Sequence, residues 1–359
     1  MEERNERASG IELLRILCML MIIAHHYYVH GGFSTASIAV HRAEGMAVQM
    51  LQMFGRPACL IFALTSGYFL VERGRERHVR RVLPLVAEQW FYSVLVLILV
   101  LAFHLRTVSP LEMVRSLVPA LFGHWYIVGY LMLYVLIPFL NPWLRSMEKR
   151  TYKRLLLALF LIWSVIPTFT LYNWHFDERD LFPIMYLTGG YIRLHGQGEY
   201  PNGRNLAVSL LSAGTLLLSV ALLNTWGYRT RNADVIGWAT YFGDYNSAPG
   251  VVFALSTFLF FSRLRFTSRT VNRLAGSVIG IYLIHDDDLV RDLLWKGLSP
   301  NAAHLTGVWV HAPVKILAVF AVCLAVDLLR RATVEKVFLR WFQGRCAAWD
   351  RRHGAERVG

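Results

Sequence analysis

The chain has 359 residues, of which 55% are hydrophobic, 13% aromatic and only 17% charged, with a mean hydropathy of +0.40. Soluble domains carry about 25% charged residues, so this composition excludes disorder and argues against an ordinary soluble globule. The net charge of +13 and pI of about 9.8 raise nucleic acid as a partner, a question that the placement of the charge decides.

A helix that crosses the hydrocarbon layer needs roughly 17 to 25 mainly apolar residues. In chain order the sequence predicts ten such stretches: 11–30, 47–71, 82–103, 119–140, 154–172, 181–194, 205–223, 246–262, 272–290 and 309–329. The length of the runs and the lack of period-2 alternation exclude strands. The expected fold is an all-α integral membrane bundle of about ten transmembrane helices over residues 1–329. A short basic tail, 330–359, follows and is expected to lie on the inner membrane surface. The first run has no small-residue cleavage site after His25 and His26 and reads as an uncleaved helix. No long-period repeat, low-complexity tract or pair of inverted halves stands out.

Basic residues alternate between the connections. Twenty-six of the 37 Lys and Arg residues fall on one side, Arg73, Arg75, Arg77, Arg80 and Arg81 among them, and eight on the other. This positive-inside pattern predicts that both termini are cytoplasmic. The basic excess is then topological, and no soluble domain with interleaved aromatics remains to bind nucleic acid. Cys18, Cys59, Cys323 and Cys346 are scattered without C-x-x-C spacing, which suggests neither a disulfide framework nor a thiolate metal site.

Ionisable side chains inside spans are costly, and each is a functional hypothesis. The first span carries Arg15 and His26, eleven residues apart. At about 100° per residue that is three turns plus about 20°, so the two share one helix face, about 16 Å apart along the axis. A cation and a titratable imidazole so spaced suit a long, thin anionic ligand, the histidine accepting and returning a proton. The plainer alternative is an arginine that snorkels to lipid phosphates and an interfacial histidine. His25 points about 100° away from His26, and His30 follows at i+4. Such a pair can hold a metal, but no third ligand is placed by sequence, so no metal is expected and both read as interfacial. Arg56, near the middle of the second span, must face the bundle interior, with no partner that the sequence names. Ser66 lies in Thr65-Ser66-Gly67 rather than in a G-x-S-x-G elbow and reads as a packing residue.

The motifs taken in order carry a resemblance. Ser9-Gly10-Ile11-Glu12-Leu13-Leu14-Arg15, followed after ten residues by His26, resembles the opening signature of the membrane acyltransferase-3 family. The run Leu60 to Leu70 with Ser66-Gly67-Tyr68, the stretch Arg77-His-Val-Arg80-Arg81 before Leu83-Pro84, and His124-Trp125-Tyr126 through Leu133-Tyr134 to Pro138 are similar to its later elements. Gly280-Ile281-Tyr282-Leu283-Ile284-His285 resembles its late histidine element, and the likeness spans about residues 9–330. It implies a ten-span bundle with cytoplasmic termini in a bacterial cell membrane. It also implies transfer of an acyl group, commonly acetyl from acetyl-CoA, to a hydroxyl of an extracytoplasmic acceptor such as a cell-surface glycan. Residue by residue, it implies His26 as the essential base and Arg15 in acyl-CoA binding. Arg77 and Arg80 match its R-x-x-R pair, with Arg81 as an alternative register.

The chemistry agrees with these residue types. A positioned base assists attack by an alcohol, and guanidinium groups bind phosphates in bidentate fashion. Arg77, Arg80 and Arg81 serve equally as plain positive-inside charge. His285 is expected either to reach the site or to hydrogen-bond between helices. Asp286, Asp287 and Asp288 would project in different directions from one helix and make no ready metal site, which leaves a solvated outer end or a cavity lining. Trp125, Trp143, Trp174, Trp226 and Trp295 read mostly as an aromatic belt, Trp125 being also a candidate for the site lining. A carrier or flippase for an anionic metabolite or lipid-linked glycan is the competing function class. A structural or sensory protein would leave the intramembrane ions without a purpose.

Overall fold

The structure, a computed structural model, describes residues 9–72, 79–170, 180–196, 198 and 200–336, and for 79–81 and 181 the backbone alone. Every regular element among the described residues is a helix. Seven helices are long and apolar enough to cross a membrane: Ser9–Val29, Arg42–Leu70, Val82–Ala102, Trp125–Ser146, Lys149–Thr170, Asn202–Thr230 and Ala302–Lys336. Their outward faces stay apolar, as at Val135 (70% exposed), Phe139 (66%) and Leu211 (72%). Hydrocarbon accepts such a surface, and a helix satisfies its own backbone there.

Three of the ten expected spans fall short of this length. Leu181–His195 and Ala248–Ser262 have 15 residues each, about 22 Å of helix against about 30 Å of hydrocarbon. They are interior helices, with Met185, Tyr186, Ala254 and Phe258 fully buried. The stretch expected over 272–290 is three short helices, Arg269–Ala275, Val278–His285 and Asp288–Asp292. The second expected span is likewise interrupted: Arg42–Gln52 ends, and Gly55–Leu70 begins after a two-residue break. Pro57 sits in the first turn of the second piece, where its missing N–H costs nothing.

Ser9–Val29 is the central helix. It packs against Arg42–Gln52, Gly55–Leu70, Ala248–Ser262, Arg269–Ala275, Val278–His285 and Val308–Ala332, and Leu14, Cys18, Ile23 and Tyr27 are fully buried. Polar bonds fix both of its ends. Buried Ser9 donates to Asn272 Oδ1 at 2.8 Å and accepts from the Ser268 amide at 2.8 Å. At the other end Asn301 donates to the Tyr27 carbonyl at 2.7 Å, and Lys315 holds Asn301 Oδ1 at 2.8 Å.

Burying apolar surface does not drive helix association in lipid, so close packing must supply it. The contact between Gly55–Leu70 and Leu181–His195 illustrates this: a methyl group on Gly67 would overlap the Tyr186 backbone, and one on Gly189 the Leu64 carbonyl. Gly67→Leu or Gly189→Leu should therefore destabilise the bundle by about 1–3 kcal/mol or more. Gly214, which faces open space, should tolerate alanine with a gain of up to about 1 kcal/mol. Thermal unfolding in detergent micelles checks the contrast.

Candidate active site

One cavity of about 1000 Å³ runs beside the central helix. Arg15 and His26 both line it, as their shared helix face requires, together with His25, Arg193, Trp125, Tyr126, Tyr130 and Tyr245. Gly55 abuts the His25 ring, so Gly55–Leu70 runs antiparallel to the central helix and its Leu70 end lies level with Ser9. That end of the cavity carries two guanidinium groups, each paired with a glutamate. Arg15 Nη1 meets Glu12 Oε2 at 2.7 Å. Arg193 Nε pairs with Glu72 Oε2 at 2.6 Å and lies over the Tyr68 ring at 5.4 Å. Both guanidinium groups keep part of their surface exposed, 22% for Arg15 and 42% for Arg193.

The far end is built around His26, which is 8% exposed. His285 Nδ1 lies 2.6 Å from its own-helix carbonyl, Ile281 O, and can only donate there. Its Nε2 is then an acceptor in the neutral ring, and His26 Nδ1, 3.1 Å away, is the donor. This chain of bonds leaves the lone pair of His26 on Nε2. Asp286 Oδ1 lies 3.5 Å from the same His26 Nδ1. Asp286 is 2% exposed and is held by Arg291, which donates from Nε to Oδ1 at 3.1 Å and from Nη2 to the main-chain carbonyl at 2.9 Å. His30 Nε2 lies 3.7 Å from Asp286 Oδ1.

Local backbone explains how Asp286 comes inside. The helix Val278–His285 ends at Asp286, and Asp287 caps the next helix, accepting the Leu289 amide on Oδ1 at 2.9 Å. The three aspartates therefore do not share one helix. Asp286 and Asp287 turn inward and Asp288 is exposed, where it pairs with Arg291 at 3.1 Å. A single outer helix end would have solvated all three.

The other candidates separate clearly. His285 stands behind His26 and bonds between helices. Trp125, the first residue of its span, forms part of the cavity wall, edge-on to Phe182 and Tyr245 at 6.4 and 5.7 Å. Arg56 lies in the first turn of Gly55–Leu70, midway along the Arg42–Leu70 span, and is 35% exposed; it has a partner in Asp244 at 3.1 Å and lies over Tyr245 at 5.3 Å. It does not line the cavity itself, and it meets the cavity wall through Tyr245. Ser66 lines the cavity with its hydroxyl turned to the Phe62 carbonyl at 3.0 Å, as a packing residue would have it. Arg77 lies outside the described residues, and so do the side chains of Arg80 and Arg81 at the start of Val79–Ala102.

Sequence reading gave no role to Arg193 or Arg291, and it named Asp286 only as a solvated helix end or a cavity lining, without its partners His26 and Arg291. The available signal for Asp286 was a carboxylate directly following the histidine element. Because Arg56 and Asp244 form a half-exposed pair, Arg56→Gln should change stability by less than about 1 kcal/mol and leave catalysis intact, as measured by unfolding and turnover. No curated protein and no solved structure matches the chain. The model of the acyltransferase-3 domain family matches residues 9–328, so the arrangement of arginine, cavity and imidazole belongs to a membrane acyltransferase, and the chain is a member of that family.

Proposed function

We propose that the protein transfers an acyl group, acetyl in the simplest case, from cytoplasmic acyl-CoA to a hydroxyl of an extracytoplasmic acceptor such as a cell-surface glycan. The observation that carries this reading is the single cavity joining two arginines at one end to a backed imidazole at the other. Along the helix axis Arg15 and His26 are about 16 Å apart. A pantetheine arm of about a dozen bonds spans on the order of 15 to 20 Å, so its phosphates reach the arginines while its thioester reaches His26.

His26 Nε2 takes the proton of the acceptor hydroxyl as that oxygen attacks the thioester carbonyl. The new C–O bond forms, the tetrahedral intermediate collapses with cleavage of C–S, and the imidazolium returns the proton to the departing thiolate. Asp286, neutralised at rest by Arg291, stabilises the transient charge on His26, and His285 keeps the ring in the tautomer that exposes Nε2. Arg15 and Arg193 bind the CoA phosphates. By sequence Arg77, Arg80 and Arg81 fall in the same basic connection and are proposed as further phosphate ligands. The arginine and lysine distribution supports cytoplasmic termini, which needs an even number of passes with shorter helices such as Leu181–His195 and Ala248–Ser262 contributing, and it sets the arginine end of the cavity on the cytoplasmic side of a bacterial plasma membrane. Lipid surrounds the bundle, and no nucleic acid takes part.

His26→Ala should lower transfer by at least about a hundredfold, and normal O-acetylation of the surface glycan by this variant would refute the assignment. His285→Ala should lower kcat about tenfold or more with the KM for acetyl-CoA unchanged, because it removes only the partner that orients the base. Acetyl-CoA at about a hundred times its Kd should stabilise the wild-type protein by about 2.7 kcal/mol. Arg15→Gln combined with Arg193→Gln should abolish that stabilisation while His26→Ala retains it. Stabilisation by a transported anion and none by acetyl-CoA would support a carrier instead.

A further inference from the structure

We propose that His26, His30 and Asp286 form a binding site for a borderline divalent transition metal of the zinc type, and that its occupancy reversibly switches acyl transfer off. The binding claim stands on geometry alone, and the switch rests on the reading of His26 Nε2 as the base.

One ligand atom from each of the three residues falls within 4.8 Å of the others. Zinc bound at 2.0–2.2 Å in a tetrahedron sets its ligands about 3.3–3.6 Å apart. The observed separations from Asp286 Oδ1 are 3.5 Å to His26 Nδ1 and 3.7 Å to His30 Nε2, close to two edges of that tetrahedron before any adjustment. His26 and His30 stand at i and i+4 at the Val29 end of the central helix, their ring centroids 5.0 Å apart. Two imidazoles and one carboxylate are the donor set that favours zinc-type ions over magnesium, which prefers oxygen ligands and bound water. Arg291 does not block the carboxylate, since an ionised carboxyl group has lone-pair sites for both an N–H and a metal. A donor of this kind beside a metal-bound oxygen is an ordinary supporting contact.

The consequence for catalysis follows from the imidazole itself. A neutral ring has one lone-pair nitrogen and one N–H. A metal on Nδ1 displaces the hydrogen bond to His285 and moves the remaining proton to Nε2, where the acceptor hydroxyl would have been deprotonated. Metal on one nitrogen and base catalysis at the other are mutually exclusive. His30 has no part in the acyl-transfer steps, so its removal separates binding from chemistry.

The test uses chelator-treated full-length protein in detergent micelles, titrated calorimetrically with zinc chloride and, for comparison, magnesium chloride. Zinc should bind at one ion per chain, magnesium should not compete, and His30→Gln should weaken zinc by at least about tenfold. Zinc should inhibit the wild-type enzyme, with recovery on adding EDTA, while His30→Gln keeps its basal turnover and resists zinc. Cobalt in the wild-type protein supplies a reading that needs no variant: the strong visible absorption of a four-coordinate site. Absence of saturable zinc binding, or equal zinc affinity in folded His30→Gln, overturns the site. Zinc binding without inhibition, where His26→Ala is inactive, overturns the switch alone; full activity of His26→Ala overturns the base reading and leaves the metal site to the calorimetry.

Discussion

The hydrogen bond from His26 Nδ1 to His285 Nε2 joins residues 259 positions apart, and the proposed base chemistry depends on it. An imidazole is useful as a base only if its lone pair faces the substrate, and an unassisted ring divides itself between two tautomers. His285 removes the choice because its own Nδ1 is committed to the Ile281 carbonyl. The bond is available only because the central helix is held at both ends, at Ser9 by Ser268 and Asn272 and at Tyr27 by Asn301, itself gripped by the buried Lys315. A small slide of this helix would move the imidazole off its partner.

Charge is placed economically around this point. A lone carboxylate 2% exposed in an apolar bundle would be costly, and the cost is met by pairing and hydrogen bonding. Arg291 supplies both to Asp286 through its side-chain and main-chain oxygens. The resting site therefore tolerates one further charge, the transient proton on His26, without leaving an ion unpaired. At the opposite end Arg15 and Arg193 are held by Glu12 and Glu72 at 2.7 and 2.6 Å and keep part of their surface open, which is the surface the proposed anionic ligand would meet. The proposed ligand, polyanionic at one end and reactive at the other, would span these two regions of one cavity.

The irregular backbone has a purpose in the same terms. Non-helical segments at membrane depth are tolerated where they are covered by protein or face a cavity. The break before Gly55 lets that helix close on the His25 ring, whose Nδ1 donates to the Gln52 carbonyl at 3.1 Å. The break at Asp286 and Asp287 turns two carboxylates inward. Two helices of 15 residues, Leu181–His195 and Ala248–Ser262, pack inside the bundle, and Gly189 of the first fits against Leu64 and Gly67 of Gly55–Leu70.

Composition and the 3.6-residue period by themselves determined that the chain is an all-helical membrane bundle, that its first span is a helix, and that Arg15 and His26 share a face. These are local properties, set by apolar run length and by rotation per residue. The order of motifs carried the family. Which stretches form helices of span length, what Arg56 pairs with, and that His285, Asp286 and Arg291 close around His26 were decided by tertiary structure. Hydropathy measures how apolar a stretch is but not where its backbone turns, so the interruptions at 53–54 and 286–287 were invisible to it. A hydrogen bond between residues 26 and 285 depends on how two helices dock, and no periodicity within either helix encodes that.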